Sequence, residues 1–429
     1  MWDKVLFFFI ALPAIVGSTC VLHKYSIPNL DIRVLIWFAG FLLGLIAPMT
    51  HLLPLPFSPI WFLRLIAPLN MIFTSCSFVL QPYCFQDLIF MLAFGIGHPL
   101  LFGIFLSVFA WLLDIRNYFD GADYIVLSCV MAATYPTYVL KVPTQFTRST
   151  IYNLTVGESV FGTALCVLLV QSLTHGSSIS SVMAVVSLRY VLTIVIGVSI
   201  GVALGMCSAH IYSCLEFCCD QIWVDSFAIL VGTIVWVVVF AISSVFDIPL
   251  NIPLAIFCSV VSFFYMSAIE SRDRMPGASS LSDAVVFLYL GYTAFDIDIW
   301  SSLRYSVMEV LIAASILFVL LMLLRLAFIF CILKFCNCDN RSPRISKRDV
   351  MILWFAGLAR GGPSLAISYV WFASSASDND VFMIATTIYL VHFSLSVFGL
   401  CTMRIIQCWP TLYQWLGWSR GSSEQLSPV

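Results

Sequence analysis

Residues 354–369, WFAGLARGGPSLAISY, are apolar enough to lie inside a bilayer, yet they include one charged side chain, Arg360. A charge at the centre of a membrane helix costs roughly 2.5–3.5 kcal/mol on insertion scales, so an ionisable residue there points to function. Gly361, Gly362 and Pro363 follow it directly. Proline lacks an N–H and clashes with the preceding turn, and freed backbone at this depth is tolerated only inside protein or beside water. The stretch therefore predicts a broken membrane helix, with a charge at the break and a solute site beside it.

The composition places the chain among membrane proteins. Of its 429 residues, 61% are hydrophobic and 10% are charged, against about 45–50% and about 25% in soluble domains. The net charge of −2 is close to neutral and gives no indication of a nucleic-acid partner. The sequence has no HExxH motif, Gly-rich phosphate loop or nucleophile elbow. We therefore expect a transporter rather than an enzyme, with no cofactor and no metal other than a transported cation.

Apolar runs of membrane-spanning length recur along the chain. A hydrocarbon core about 30 Å thick needs about 20 apolar residues per helix. On this basis the sequence predicts thirteen segments, at residues 5–22, 34–53, 61–81, 88–112, 122–140, 151–173, 186–212, 225–246, 250–269, 280–298, 306–332, 350–374 and 381–404. The first also fits a signal peptide, although we favour a retained helix. Short connections predict one membrane domain over residues 1–404, followed by a cytoplasmic tail over residues 405–429.

Positive charges are distributed unevenly between the two faces of the predicted membrane domain. Loops after odd-numbered segments, together with the tail, contain thirteen Lys and Arg residues, whereas the other face contains three. Lys and Arg concentrate in cytoplasmic loops. We therefore expect the C-terminus in the cytoplasm and the N-terminus outside. The three residues of the other face are Lys4, Arg116 and Arg304.

Two segments have Pro-containing interruptions at corresponding places. Segment five contains ATYPT at residues 133–137, and segment twelve contains RGGP at residues 360–363. Paired interrupted helices in the two halves of a transporter point to its binding site. An offset of seven segments reverses direction across the membrane, so residues 5–173 and 225–404 are predicted inverted repeats joined by a connector helix at 186–212. Proline is common in membrane helices, so a chance correspondence of the two interruptions is the alternative explanation.

Ionisable residues within the segments are few. Glu158, in segment six, is the natural counter-ion for Arg360, because an unpaired buried carboxylate must neutralise or find a cation. It is either an ion-pathway carboxylate or half of a buried structural pair, and we favour the structural role. Asp283, in segment ten, either coordinates a cation or caps the helix. Arg325 lies toward the end of segment eleven and is predicted to extend to the membrane interface.

Two histidines lie at membrane depth, His98 in segment four and His392 in segment thirteen. The imidazole of histidine titrates near neutral pH and is suited to carrying protons. A buried histidine is more often neutral and hydrogen-bonded to a neighbouring helix, and we favour that interpretation for both.

Four short patches give the chain a resemblance to a known family. Residues 133–136, ATYP, resemble its Ala-x-Asp-Pro motif, and residues 157–164, GESVFGTA, are similar to its Gly-Glu-Ser-x-x-Asn-Asp-Ala. Residues 283–291, DAVVFLYLG, resemble its Glu-x-x-x-Phe-x-x-Leu-Gly, and residues 357–361, GLARG, resemble Gly-Leu-Arg-Gly with one insertion. From about residue 63 to residue 405 the chain resembles the eukaryotic sodium/proton exchangers of the monovalent cation/proton antiporter superfamily.

The resemblance implies an all-α polytopic membrane protein of about thirteen helices. Two inverted six-helix repeats would cross at discontinuous helices five and twelve, and alternating access would exchange sodium or another monovalent cation for protons. The resemblance also implies a homodimer in contact with lipid, in a plasma or endosomal membrane. The crossing would present Tyr135, Pro136, Gly162 and Thr163 to the ion.

The family's ion-binding acids are replaced in this chain. By the resemblance, Thr163 stands in place of the aspartate that binds the cation or the proton, Gly162 in place of the preceding asparagine, and Tyr135 in place of the aspartate before the proline. Glu158, Arg360 and an acid at position 283 then correspond to the family's supporting ion pairs.

Replacement of these acids removes the groups that would exchange a proton for a cation. Competition of a proton with a cation needs a group whose pKa lies near the working pH, as that of a partly desolvated carboxylate can. Threonine and tyrosine hydroxyls do not titrate there. Either another acid has taken over, Glu158 before Asp283, or the chain no longer exchanges protons. Three functions are therefore open: an antiporter, a non-transporting scaffold or partner subunit, and a transporter or channel for another solute.

Overall fold

The computed structural model describes residues 32–46, 58–76, 84–112, 121–134, 149–174, 179–214, 221–246, 250–267, 276–295, 297–336, 347–375 and 381–397. All regular structure in these ranges is helical. The helices of the first half are α1 Ile32–Ile46, α2 Pro59–Cys76, α3 Cys84–Leu112, α4 Gly121–Ala132, α5 Ser149–Thr174 and α6 Ile179–Cys214. Those of the second half are α7 Gln221–Phe246, α8 Ile252–Met266, α9 Pro276–Tyr292, α10 Ile297–Ser302, α11 Val307–Cys336, α12 Lys347–Ala356, α13 Gly362–Ser375 and α14 Val381–Val397.

The predicted all-α membrane architecture is confirmed. Every predicted segment from the second to the thirteenth contains helix at the expected place, because a long apolar run must satisfy its backbone groups internally. The first predicted segment and the predicted tail lie outside the described residues. Within the described ranges, five helices are long and apolar enough to cross a membrane: Pro59–Cys76, Leu154–Gln171, Leu192–Cys214, Ser226–Phe246 and Val307–Ile332.

Burial separates central helices from peripheral ones. In α5, 72% of the most apolar span is buried, against 22% in α7 and in α11. The outer surfaces of α7 and α11 expose large apolar side chains such as Val237 and Leu323, which require lipid rather than water around them. The central α5 packs against α3, α4, α6 and α13. Residues on α5 therefore face the interior of the helical assembly.

The predicted break in segment twelve is confirmed, but its position differs from the prediction. α12 ends at Ala356, residues 357–361 are not helical, and α13 begins at Gly362. Gly362 and Pro363 thus start the second half-helix instead of interrupting it. Proline suits this place because the first N–H groups of a helix have no intrahelical acceptor, so its missing N–H costs nothing.

Segment five also ends its helix where the sequence predicted. α4 ends at Ala132, and residues 133–134 continue without helical structure. Tyr135 and Pro136 lie outside the described residues. The first half of segment five is therefore a short helix, and its carboxyl end lies inside the protein, since Ala133 and Thr134 are buried.

Candidate functional site

The carbonyl oxygen of Ala133 links the two interrupted segments. It accepts a hydrogen bond from Ser364 Oγ at 3.0 Å and another from Arg360 Nη1 at 3.4 Å. Carbonyls at the end of a helix have no intrahelical donor and need partners elsewhere. The carboxyl end of α4 thus meets the amino end of α13. We call residues 133–134 and 357–364 the helix crossing.

A series of hydroxyl groups connects the helix crossing to α5. Thr163 Oγ1 donates to the Thr134 carbonyl at 3.0 Å, and Thr134 Oγ1 donates to Ser159 Oγ at 3.0 Å. Ser159 Oγ in turn donates to the Thr155 carbonyl at 2.9 Å. Thr163 therefore lies beside the crossing, as the resemblance implied, next to the buried Gly162. Its hydroxyl is a hydrogen-bond donor to the backbone and supplies no negative charge.

Glu158 is paired with Arg325. Arg325 Nη1 lies 2.6 Å from Glu158 Oε1, and Arg325 Nη2 lies 3.0 Å from Glu158 Oε2, with both side chains buried. The predicted pair of Glu158 with Arg360 is wrong, as is the prediction that Arg325 extends to the membrane interface. Arg325 turns inward because it can engage both carboxylate oxygens in the strong bidentate geometry and also bind the backbone of α12.

The same guanidinium caps the first half of the broken helix. Arg325 Nη2 donates to the Leu353 carbonyl at 3.0 Å, and Arg325 Nε donates to the Trp354 carbonyl at 3.2 Å. Both carbonyls belong to the last turn of α12, where a cation is favoured by the helix dipole, and the Leu353 carbonyl otherwise accepts only a long bond of 3.4 Å from the Gly357 N–H among the described residues. Arg325 thereby joins α5, α11 and α12, and Trp354 Nε1 adds a bond to the Met322 carbonyl of α11 at 3.0 Å.

Gly357 provides the space for this cap. A Cβ atom at position 357 would overlap the guanidinium of Arg325. Arg325 is fully buried and held by Glu158 and the end of α12, so it has little freedom to move aside. A residue without a side chain is therefore required directly after α12.

Arg360 is buried at the crossing with much of its hydrogen-bonding capacity unused. Its side chain is 0% exposed, and its backbone N–H donates to Ser394 Oγ at 3.1 Å. Beyond the Nη1 contact with Ala133, Nε and Nη2 have no hydrogen-bond partner among the described residues. The charge that the sequence singled out thus lies at the helix break, but without the predicted carboxylate.

Comparison with known proteins places this arrangement in context. No family model matches the chain. Sodium/hydrogen exchanger 2 of Arabidopsis thaliana is 28% identical over 374 residues, which cover 81% of this chain and 66% of the relative. Sodium/hydrogen exchanger 3 of Arabidopsis thaliana is 26% identical over 371 residues, covering 81% and 72%. Sodium/hydrogen exchanger 1 of Oryza sativa subsp. japonica is 25% identical over 303 residues, covering 67% and 56%.

The chain is similar in sequence to sodium/hydrogen exchangers. This confirms the resemblance seen in the four sequence patches. The chain spans just under two thirds of the first of these relatives, as 66% of that protein is matched. Its structure resembles that of the sodium proton antiporter MjNhaP1 from Methanocaldococcus jannaschii, with a TM-score of 0.54 at 15% identity, over 92% of this chain and 98% of that one. The chain therefore has the fold of that antiporter and is a multi-pass membrane protein.

Asp283 belongs to a buried polar cluster between α9 and α2. Asn70 Nδ2 donates to Asp283 Oδ1 at 3.1 Å and to Ser282 Oγ at 3.2 Å, and Thr74 Oγ1 donates to Asn70 Oδ1 at 3.3 Å. The expectation that Asp283 caps a helix is wrong, because α9 begins at Pro276 and Asp283 lies well inside it. Its carboxylate instead joins two helices.

The two histidines have different surroundings. His392 Nδ1 accepts a hydrogen bond from Trp37 Nε1 of α1 at 3.0 Å, which agrees with the favoured interpretation of a histidine bonded to a neighbouring helix. His98 packs among aromatic rings, with centroids 5.9 Å from Phe102 and 5.3 Å from Phe328. Its buried Nε2 has no hydrogen-bond partner among the described residues. Proton carriage by either residue is a prediction of the sequence alone.

The sequence did not predict the buried positions of Asp123 and Arg325. Asp123, in the first turn of α4, is buried and accepts a hydrogen bond from Trp371 Nε1 of α13 at 2.9 Å. Arg325 was noticed but assigned to the membrane surface. A signal was present for Arg325, because it lies inside the apolar span Val307–Ile332, where an isolated charge calls for a partner within the protein.

Proposed function

We propose that the chain is a monovalent cation/proton antiporter that works by alternating access, with its substrate site at the helix crossing. The observation that carries the proposal is the shared Ala133 carbonyl, which brings the carboxyl end of α4 to the amino end of α13. Interrupted helices that meet inside a membrane protein supply backbone groups and half-helix dipoles to a transported ion. Homology to sodium/hydrogen exchangers and the antiporter fold support the same function.

Glu158 is the first candidate for the titrating acid in this proposal. It lies on α5 next to Ser159, whose hydroxyl accepts a hydrogen bond from Thr134 at the crossing. Both carboxylate oxygens of Glu158 are bonded to Arg325. Each oxygen retains a further lone pair, but the bound guanidinium repels a cation or proton, so we expect exchange through Glu158 to involve movement of α11 or of α5. Asp283 is the second candidate.

Flux through proteoliposomes tests the proposal. Purified protein is reconstituted with an internal pH dye, and a sodium or potassium gradient is imposed. Wild type should change the internal pH, Glu158→Gln should abolish the change, and Glu309→Gln should retain it. Glu309 is the matched control because it is an exposed acid in the first turn of α11. Flux that survives Glu158→Gln would remove Glu158 from the mechanism.

The Glu158→Gln variant needs its own control for folding. It leaves Arg325 buried without its counter-ion, and breaking a buried pair costs about 3–5 kcal/mol. The double variant Glu158→Gln with Arg325→Leu removes both charges and should restore much of the stability. If the double variant is as stable as wild type and still shows no flux, the loss does not come from unfolding.

A non-transporting relative that acts as a scaffold or partner subunit is a second candidate function. It is favoured by Thr163, whose hydroxyl donates to the Thr134 carbonyl at the place where the resemblance expects an ion-binding acid. Wild type would then give no flux, and flux would appear in Thr163→Asp combined with Gly162→Asn. Thr163→Asp alone should be tested too, because a Cβ at Gly162 would lie 3.2 Å from the Gly95 carbonyl oxygen. Uptake of another solute without sodium dependence would instead indicate the third function.

We further propose the assembly and orientation that the sequence implied. The chain would form a homodimer in a plasma or endosomal membrane, with the N-terminus outside and the C-terminus in the cytoplasm. The uneven distribution of Lys and Arg between the two faces supports the orientation. Labelling of single cysteines introduced into the predicted tail, residues 405–429, from either side of sealed vesicles tests it. Residues 5–173 and 225–404 would be the inverted repeats.

A further inference from the structure

The guanidinium of Arg360 has one fully unpaired edge. Nε and Nη2 lie on the same side of the planar group, and neither has a hydrogen-bond partner among the described residues. The side chain is 0% exposed, so bulk water does not solvate it. Within the described residues the guanidinium makes a hydrogen bond from Nη1 to the Ala133 carbonyl, which is long at 3.4 Å. An arginine edge of this kind is the geometry that binds a planar anion through two parallel N–H groups.

The buried charged side chains near the crossing have an excess of positive charge, which also favours an anion. Arg325 and Arg360 are two buried cations, and Glu158 is the carboxylate bonded to one of them. Both oxygens of Glu158 are already engaged by Arg325, so these three side chains sum to one positive charge. A buried unpaired charge is strongly unfavourable unless it is neutralised or paired. Arg360 therefore requires a negative partner, and none of the described residues supplies one.

The amino end of α13 lies beside the same guanidinium. Arg360 precedes the helix start at Gly362 by two positions, and the first N–H groups of a helix carry partial positive charge and bind anions. Gly361 and Gly362 are buried, and the ring of Phe62 packs against Gly362, so the guanidinium edge rather than the backbone of this helix end offers the free donors. The helix dipole and the guanidinium thus favour the same sign of charge.

We propose that the helix crossing holds a small monovalent anion on the Nε and Nη2 edge of Arg360, next to the amino end of α13. A carboxylate matches the two donors most closely, and a halide accepts from both. The anion neutralises the charge that Glu158 leaves unpaired. This anion site shares the helix crossing with the proposed cation site, but it does not depend on sodium transport by the chain.

Equilibrium binding of chloride tests the proposal without any ion gradient. Full-length protein in nanodiscs is dialysed against radioactive chloride in sodium-free potassium buffer of constant ionic strength. Wild type should bind chloride saturably, at about one ion per chain, and unlabelled chloride and acetate should both displace it. Arg360→Gln should reduce the affinity by at least tenfold. Displacement by acetate at lower concentration than by chloride identifies a carboxylate as the preferred ligand, whereas the reverse order identifies a halide.

Matched variants separate the site from general effects of charge. Arg64→Gln removes an exposed guanidinium that lies over the Phe240 ring and should leave binding unchanged. Arg360→Lys keeps the charge but loses the paired donors, so acetate affinity should fall more than chloride affinity. Absence of saturable binding in wild type, or equal binding in wild type and folded Arg360→Gln, would overturn the proposal. Because the assay measures binding alone, failure of sodium flux leaves its result unaffected.

Discussion

Arg325 of α11 and Glu158 of α5 are joined by two hydrogen bonds of 2.6 and 3.0 Å in the buried interior. The pair does more than neutralise two charges, because the same guanidinium also binds the last turn of α12. It thus places the end of a broken helix against a central one. Its disruption should affect both the stability of the protein and the geometry of the crossing.

Replacement of Arg325 by leucine should destabilise the protein by about 3–5 kcal/mol, because it leaves the Glu158 carboxylate buried and unpaired. The measurement is thermal or denaturant unfolding in detergent, compared with Arg64→Leu, which alters an exposed arginine. The double variant with Glu158→Gln should recover a large part of the loss. Equal destabilisation by Arg325→Leu and Arg64→Leu would contradict the structural role of the pair.

Gly357→Ala should lower stability by about 1–3 kcal/mol, the usual cost of overpacking. The added methyl group would overlap the Arg325 guanidinium and push it away from the end of α12. Gly197→Ala is the control, since a Cβ there has nothing within 4 Å. This control should be neutral or stabilising by up to about 1 kcal/mol, because alanine favours helix over glycine. Similar melting temperatures for the two variants would contradict the prediction.

Ser364→Ala should weaken the contact between the interrupted helices. It removes the shorter of the two hydrogen bonds to the Ala133 carbonyl, with an expected cost of about 0.5–1.5 kcal/mol. Ser315→Ala, which removes an exposed bond within α11, serves as the comparison. In proteoliposomes, Ser364→Ala should reduce ion-driven pH change more than Ser315→Ala does. Matching flux and stability in both variants would show that the Ser364 bond is dispensable.

Trp37→Phe should destabilise the contact of α1 with α14. The substitution keeps an aromatic ring but removes the N–H that donates to His392 Nδ1, at an expected cost of about 0.5–1.5 kcal/mol. Trp236→Phe is the matched change, made at a half-buried tryptophan of α7. Denaturant unfolding of both variants under the same conditions measures the difference in their free energies of unfolding. No difference between them would mean that the bond to His392 adds nothing measurable.

The helices were predictable because they follow from local chemistry. Apolar runs of bilayer length must form helices, and the sequence positions of α3, α5, α7 and α11 agree closely with the predicted segments. The break in segment twelve was predicted by the Gly-Gly-Pro run for the same reason. The break lies at residues 357–361, before the proline instead of at it. The reason is that proline is favoured in the first turn of a helix, and the prediction did not take this preference into account.

The partner of Glu158 was not predictable in this way. Arg360 and Arg325 are both isolated charges in apolar segments, and the sequence gives no information on which of their helices faces α5. The pair joins residues 167 positions apart, so it depends on the tertiary packing of α11 against the broken helix. Thr163 donates to the Thr134 carbonyl, a bond that the sequence did not predict, and its part in the ion pathway stays a prediction of the family resemblance.

The cap on α12 also has a mechanical meaning. One guanidinium fastens α5, α11 and the first half of the broken helix to one another, so a displacement of any of these helices pulls on the other two. The second half, α13, is anchored on the opposite side of the break through the Ala133 carbonyl. Residues 357–361 therefore connect two half-helices that are fastened to different neighbours, and we expect any relative movement of the two halves to change the backbone torsions of these five residues.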